Sequence, residues 1–271
     1  MKQNKFTVSL IVTTYNWVEA LDAVLRSIAS QSTLPDEVII ADDGSTSSTK
    51  ALIERVVIGF PVPLHHCWQE DLGFRVSAIR NKAIAKATSD YIVMADGDML
   101  MQQHFIRDHI CNAASGQFVQ GRRTLLSKEL TEHVLAGNDK QITCLSKGIT
   151  NRFNACRCKI LSPVVSAMFS KQKYMSIRAC NMACWRSDIV AVNGFNETFE
   201  GWGREDSEFA VRLLNNGIRR KDLRLGGVAY HLYHHEAPKT MLKQNDLLLH
   251  DSITQNLKRC LLGIDQYLQE N

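Results

Sequence analysis

Long hydrophobic runs are missing from this 271-residue chain. No apolar stretch approaches the roughly 20 residues that a bilayer-spanning helix requires, so the sequence predicts no membrane crossing. The opening Met1-Lys2-Gln3-Asn4-Lys5 leads into a strand-like run too short for the apolar core of a secretion signal. Knuckle-type cysteine pairs are absent too: the cysteines at 67, 111, 144, 156, 158, 180, 184 and 260 form no Cys-x-x-Cys. Cys156 with Cys158, or Cys180 with Cys184 across a helical turn, could share a metal; buried or half-exposed free thiols are the preferred reading. These absences point to a reducing cytoplasm. No glycine-rich phosphate loop follows the first strand, where Thr13-Thr14-Tyr15-Asn16 stands instead, which argues against a dinucleotide or P-loop site. A large excess of either charge is missing, with 32 Lys and Arg against 28 Asp and Glu. A net charge of +4 and a pI near 8.6 suit a phosphate-bearing ligand or an anionic membrane surface. With no basic cluster interleaved with aromatics, no nucleic-acid groove is expected. No internal repeat is evident.

What is present is an ordinary globular composition, 45% hydrophobic and 22% charged, in a length that suits one large domain. Strand and helix signals alternate: strands at Val8–Thr13, Val38–Ala41, Leu64–Trp68 and Tyr91–Ala95, with helices at Ala20–Ser30, Thr49–Val57 and Ser77–Lys86 between them. Alternation of this kind predicts an α/β fold with a Rossmann-like, doubly wound, mostly parallel sheet. Polar residues follow the strand ends repeatedly: Thr14-Tyr15-Asn16, then Asp42-Asp43-Gly44-Ser45, then Asp96-Gly97-Asp98. Open α/β sheets bind ligands at the carboxyl ends of their strands. Asp96 and Asp98 read either as a solvated Asp-Gly turn or as carboxylates for a divalent cation and its phosphate ligand. Gly97 would let the chain turn and a bulky ligand approach. Residues 121–174 are poorly patterned and read as an insertion or mobile loop. After Thr240 a leucine-rich stripe from Leu242 to Ile264 predicts a terminal helix packed on the core, with a membrane-surface or partner helix as the alternative.

On these residues, together with Arg80-Asn81 and Gly201-Trp202-Gly203-Arg204-Glu205-Asp206, the chain resembles the family 2 glycosyltransferases of the GT-A fold from about Val8 to His235. The Gly-Trp-Gly segment is similar to the acceptor motif of chondroitin-polymerase-type and galactosyltransferase-type enzymes. The resemblance implies a nucleotide-sugar half at 1–120, an acceptor half at 121–238 and a helical segment at 239–271. It implies that Asp43 recognises uracil or ribose, with Thr14 and Tyr15 flanking the base. A carboxylate can accept from a base N–H or ribose hydroxyl, and an aromatic can stack on a pyrimidine. Asp42 or Asp43 is also expected to serve its own turn. Arg80 would offer two donors to the diphosphate, with a surface salt bridge as its alternative, and Asn181 would bind a donor-sugar hydroxyl. By the same resemblance Asp98 ligates Mn²⁺ or Mg²⁺, and Asp96 contacts the ribose or a water on the metal. The strand-like Val228–His235 would supply a further ligand, His231 before His234 or His235; imidazole favours Mn²⁺.

Trp202 is expected to stack on an acceptor sugar, with its glycines letting a flexible loop close. Glu205 and Asp206 fall in the first turn of a helix read over Arg204 to Asn216, where the dipole favours carboxylates in any case. Adjacent helical residues point roughly 100° apart, so they are not expected to share a task. The resemblance makes Asp206 the general base and Glu205 a partner for acceptor hydroxyls. Ser207 stands where many relatives carry another acid. The implied activity is inverting, metal-dependent transfer of a hexose or N-acetylhexosamine from a UDP-sugar. Its acceptor would be a glycan or lipid-linked glycan of lipopolysaccharide, O-antigen or capsule. The enzyme would be cytoplasmic, with room for peripheral contact at the inner membrane. A sugar-phosphate nucleotidyltransferase and a catalytically silent nucleotide-sugar-binding subunit are the alternatives; the first would want the missing glycine-rich loop.

Overall fold

Alternation along each of the early strands splits the apolar residues between two cores. Leu10, Val12, Val38, Ile40, Tyr91 and Val93 face one side; Ile11, Ile39, Ile92 and Met94 face the other. A sheet buried on both faces must be covered by helices on both, so these runs are continuously apolar rather than half-polar. The computed structural model describes residues 6–137, 142–170, 172–235 and 238–268; Met1 to Lys5 and the last three residues lie outside them. Its first half runs β1 (Val8–Thr14), α1 (Val18–Ala29), β2 (Glu37–Asp42), α2 (Ser47–Val57), β3 (Leu64–Trp68), α3 (Val76–Lys86) and β4 (Tyr91–Asp96). Each expected strand and helix is there, with ends shifted by a residue or two.

After β4 come β5 (Met99–Met101), α4 (Phe105–Asn112), β6 (Gln117–Gln120), β7 (Thr124–Leu126), α5 (Lys128–Leu135), β8 (Ile149–Thr150) and α6 (Ser162–Phe169). The chain continues through β9 (Asn181–Trp185), α7 (Arg186–Ala191), α8 (Glu205–Asn215), β10 (Arg219–Asp222), β11 (Ala229–His231) and α9 (Leu242–Thr254). The main sheet has the order β10-β6-β9-β4-β1-β2-β3. Its β4-β1-β2-β3 half is parallel, and β9 enters antiparallel between β4 and β6. A small second sheet, β5-β11-β7-β8, sits at the carboxyl end of β4 and brings the late histidines there.

Three expectations change. The poorly patterned stretch at 121–174 carries β7, α5, β8 and α6, elements too short to leave a periodic signal. The late strand is only Ala229–His231; His234 and His235 follow it. The terminal helix stops at Thr254, so Leu257, Leu261 and Ile264 are not on it. Its inward residues are Asn245, Leu249 and Ser252, while Leu247 is exposed. α9 docks on α8 largely through polar contacts: the Ser252 hydroxyl donates to Glu208 Oε1 (3.1 Å), itself paired with buried Arg212.

Candidate active site

Parallel pairing sets the strand tips side by side. Thr14 lies opposite Asp42 and Thr13 opposite Asp96, so β1, β2 and β4 end on one edge. At the β2 tip the two acids divide. Asp42 makes the turn, Oδ1 accepting from the Ser45 N–H (2.8 Å) while Oδ2 meets His66 Nε2 (2.9 Å). Asp43 accepts from Gln69 Nε2 (2.6 Å) and the Arg75 N–H (2.9 Å), and burial raises its pKa. Thr14 is buried, its carbonyl accepting from the Asp43 N–H. Tyr15 is half-exposed and its hydroxyl donates to Asp71 (3.0 Å), which leaves a ring beside Asp43.

At the β4 tip Gly97 answers a need different from the one expected. A Cβ there would stand 2.9 Å from the Thr13 carbonyl, so the space is taken by the end of β1 rather than kept for a ligand. The turn sends Asp96 and Asp98 into separate clusters. Asp96 Oδ1 accepts from the Thr13 hydroxyl (2.6 Å) and from Arg80 Nη2 (3.2 Å). Arg80 Nη1 meets Asp206 Oδ1 at 3.1 Å and Glu205 Oε1 at 3.4 Å. This buried guanidinium, expected to offer its donors to a diphosphate, is spent on three carboxylates. Burial opposes its charge, but Asp206, Asp96 and Glu205 more than compensate and raise its pKa. Glu205 and Asp206 therefore do share a partner. Arg80 reaches them from α3, and its branched end spans the angle between their side chains.

Glu205 is buried, and that burial with the Asp206 charge pushes its pKa to about 8. Asp206 is more open, at 20% side-chain exposure, and its Oδ2 accepts from the Ala179 N–H (3.0 Å). Arg80 thus links the first-turn carboxylates of α8 to the tip of β4.

Asp98 turns the other way. His234 Nε2 lies 3.1 Å and His231 Nε2 3.4 Å from its Oδ2. Burial would raise the Asp98 pKa; the hydrogen bond from His234 and the charges of His231, His234 and Arg123 hold it below the usual range. Burial lowers His231 to about 4, whereas the bond to Asp98 raises His234. Asp98 Oδ1 is buried without a hydrogen-bond partner among the described residues. Such an orphan costs about 1–3 kcal/mol unless something fills the place. Donor atoms of Asp98, His231 and His234 lie within 4.8 Å of one another, the one such group among the described residues. This N₂O set with a vacant oxygen fits a divalent cation, Mn²⁺ better than Mg²⁺. His235 stays out of the group; its carbonyl accepts from His234 Nδ1 (2.7 Å) and so orients that ring. The cysteines are free, and Cys184 stands on strand β9 rather than one helical turn from Cys180.

Asn181 is fully committed within the protein. Its Nδ2 donates to the Arg122 and Gly227 carbonyls (2.7 and 2.8 Å), and its Oδ1 accepts from His109 Nε2 (2.9 Å). A buried amide with those three bonds is a brace under the cleft. Trp202 is part-exposed, with Lys239 Nζ 5.0 Å from its ring centroid. Its loop is pinned rather than free. Asn245 Nδ2 donates to the Glu200 and Gly203 carbonyls, and the Gly201 N–H to the Phe74 carbonyl. Gly201 and Gly203 are needed for their positive φ of 68° and 106°, and a Cβ on Gly201 would meet Met241 at 2.7 Å. Sequence reasoning passed over Arg123, whose charge is felt by Asp98, His231 and His234. The Gly121-Arg122-Arg123 tip after β6 was a strand end of the same kind as the acidic ones.

Known proteins are similar to this chain in sequence and in fold. The model of "Glycosyl transferase family 2" matches residues 9–164, and "N-terminal domain of galactosyltransferase" matches 159–235. The chain is 25% identical over 237 residues to chondroitin synthase of Pasteurella multocida (strain Pm70), covering 82% of this chain and 24% of that protein. It is 26% identical over 239 residues to chondroitin synthase of Escherichia coli, covering 82% of this chain and 34% of that protein. It therefore spans about a quarter to a third of those relatives. Staphylococcus aureus TarS 1-349 in complex with UDP-GlcNAc superposes with a TM-score of 0.63 at 17% identity, covering 97% of this chain and 70% of that one. A Pyrobaculum calidifontis mannosyltransferase in complex with GDP-Man and Mn²⁺ gives 0.59 at 17% identity, covering 93% and 72%. With the sheet order, the acidic tips and these matches together, the chain has the GT-A fold and belongs to glycosyl transferase family 2.

Proposed function

We propose that this chain is an inverting, metal-dependent glycosyltransferase that moves a hexose or N-acetylhexosamine from a UDP-sugar to a hydroxyl of a growing surface glycan. The orphaned Asp98 Oδ1 beside two imidazoles, on the strand edge that also holds the Arg80-linked carboxylates, carries this reading. Tyr15 and Asp43 hold the base and ribose end. Asp98, His231 and His234 hold the cation, which when bound supplies positive charge against the leaving diphosphate. Arg123 takes the place of Arg80 as the cation facing that diphosphate, because three donor contacts of Arg80 already go to carboxylates. The acceptor hydroxyl attacks the anomeric carbon as its proton passes to Asp206. The bond from that carbon to the diphosphate oxygen breaks on the opposite face, and its electron pair leaves with UDP. Glu205, kept protonated near neutrality, hydrogen-bonds the acceptor rather than acting as base, and Trp202 stacks on its ring.

The UDP-GlcNAc complex of TarS supports a uridine donor, and the chondroitin synthases support a glycan acceptor; lipopolysaccharide, O-antigen or capsule is the destination proposed. Incubation with a panel of UDP-sugars and Mn²⁺, with UDP release followed with and without EDTA, tests the proposal. EDTA-sensitive UDP release that rises with acceptor is expected. Pyrophosphate formation from UTP, or tight donor binding with no turnover on any acceptor, would overturn it.

A further inference from the structure

Helix α6 is built inside out for a helix at a water surface. Its inward positions are serines: Ser162 Oγ donates to the Arg224 carbonyl (2.6 Å), and Ser166 Oγ accepts from the Arg224 N–H (2.9 Å). Its outward positions are apolar. Val164 and Met168, one turn apart, are 62% and 75% exposed, Phe169 is 45% exposed, and Ile160 and Leu161 just before the helix are 86% and 54% exposed. A water-facing helix carries the opposite pattern. The sequence around it is equally one-sided in charge. Residues 140–187 contain nine Lys and Arg and no Asp or Glu, in a chain whose net charge is only +4. Lys147, Arg152, Lys159 and Lys173 of that stretch are exposed, and Arg157, also within it, pairs with Asp108 of α4.

We propose that the α6 face is a membrane-docking surface for an anionic bilayer, with Ile160, Leu161, Val164 and Met168 entering the headgroup–acyl boundary and the flanking cations meeting lipid phosphates. The charge complementarity and the aliphatic tips are both needed for such a surface. An acidic polysaccharide would use the cations and has no use for four aliphatic side chains aimed at solvent. The inference is independent of which sugar is transferred.

Flotation with phosphatidylglycerol–phosphatidylethanolamine vesicles, against phosphatidylcholine vesicles, is the test. Wild type floats with the anionic vesicles only and is released by salt. Val164→Ser with Met168→Ser lowers partitioning about ten-fold, and Lys159→Gln or Lys173→Gln lowers it roughly five-fold each. UDP affinity and circular dichroism of these variants stay at wild-type values, which separates docking from donor binding and from folding. Failure of wild type to float with anionic vesicles at low salt overturns the proposal. So does variant partitioning equal to wild type. A dimer in light scattering that Val164→Ser with Met168→Ser abolishes, or retention on an acidic polysaccharide without flotation, would likewise assign the face to another occupant.

Discussion

Asp96 and Asp98 stand two residues apart, yet the clusters they join are of opposite kinds. Around Asp96 the groups are satisfied: one buried guanidinium serves three carboxylates, and the Thr13 hydroxyl serves the fourth side. Around Asp98 a carboxylate oxygen is left without a partner among the described residues, beside two imidazoles. The first cluster is closed and holds parts of the molecule together; the second is open and asks for a ligand. Their proximity in sequence hides this, because Gly97 sends successive carboxylates to different sides of the β4 tip.

The largest difference between the clusters is expected in catalysis. Asp206→Asn keeps the contact with Arg80 but cannot take a proton, so transfer should fall about 10²–10⁴-fold while UDP affinity is retained. Single-turnover rates beside titration calorimetry check this, and wild-type turnover would exclude Asp206 as base. Asp98→Ala should next break the open cluster alone: Mn²⁺-dependent UDP affinity falls by about 100-fold or more, with little change in thermal stability. Calorimetry of UDP with and without Mn²⁺ on the folded variant is the measurement, and undiminished metal dependence would reassign the ligand.

Arg80→Met should do the converse. With three carboxylates left uncompensated, stability drops by about 3–5 kcal/mol, read by urea unfolding; a loss below ~1 kcal/mol would mean the cluster is not the brace described. Gly121→Ala sharpens the role of Asn181, since the new Cβ would fall 2.0 Å from Asn181 Oδ1. About 1–3 kcal/mol should be lost even without any donor present. The smallest effect is a pH slope. The folded-state pKa of Glu205 is raised to about 8, above its unfolded value of 4.5, so the folded protein holds the extra proton between them. Stability from this group is therefore full below pH 4.5 and is lost as pH rises through about 8. Glu205→Gln should flatten that part of the stability–pH curve, and an unchanged slope would assign it elsewhere.

The parallel half of the fold was legible because strands buried on both faces leave unbroken apolar runs between helical patterns, as at Val8–Thr14 and Tyr91–Asp96. The acidic tips and the late histidines were legible as residue types at strand ends. What those side chains touch was not. Arg80 and Asn181 look like ligand groups in a linear reading, and both turn out to be occupied by the protein itself. Arg123 looks like one of many surface cations, and its charge reaches Asp98, His231 and His234. The Gly-Trp-Gly segment reads as mobile, until Asn245, forty residues on, is found holding its carbonyls.

Local patterning alone carried the layer architecture, the edge on which the site lies and the kinds of group gathered there, since burial and turn chemistry act over a few residues. Which carboxylate is paired and which is left open depended on contacts as distant as Arg80 with Asp206 and Asp98 with His234. Hydrogen bonds and ion pairs are satisfied in three dimensions, and a chain states the donors without stating who meets them.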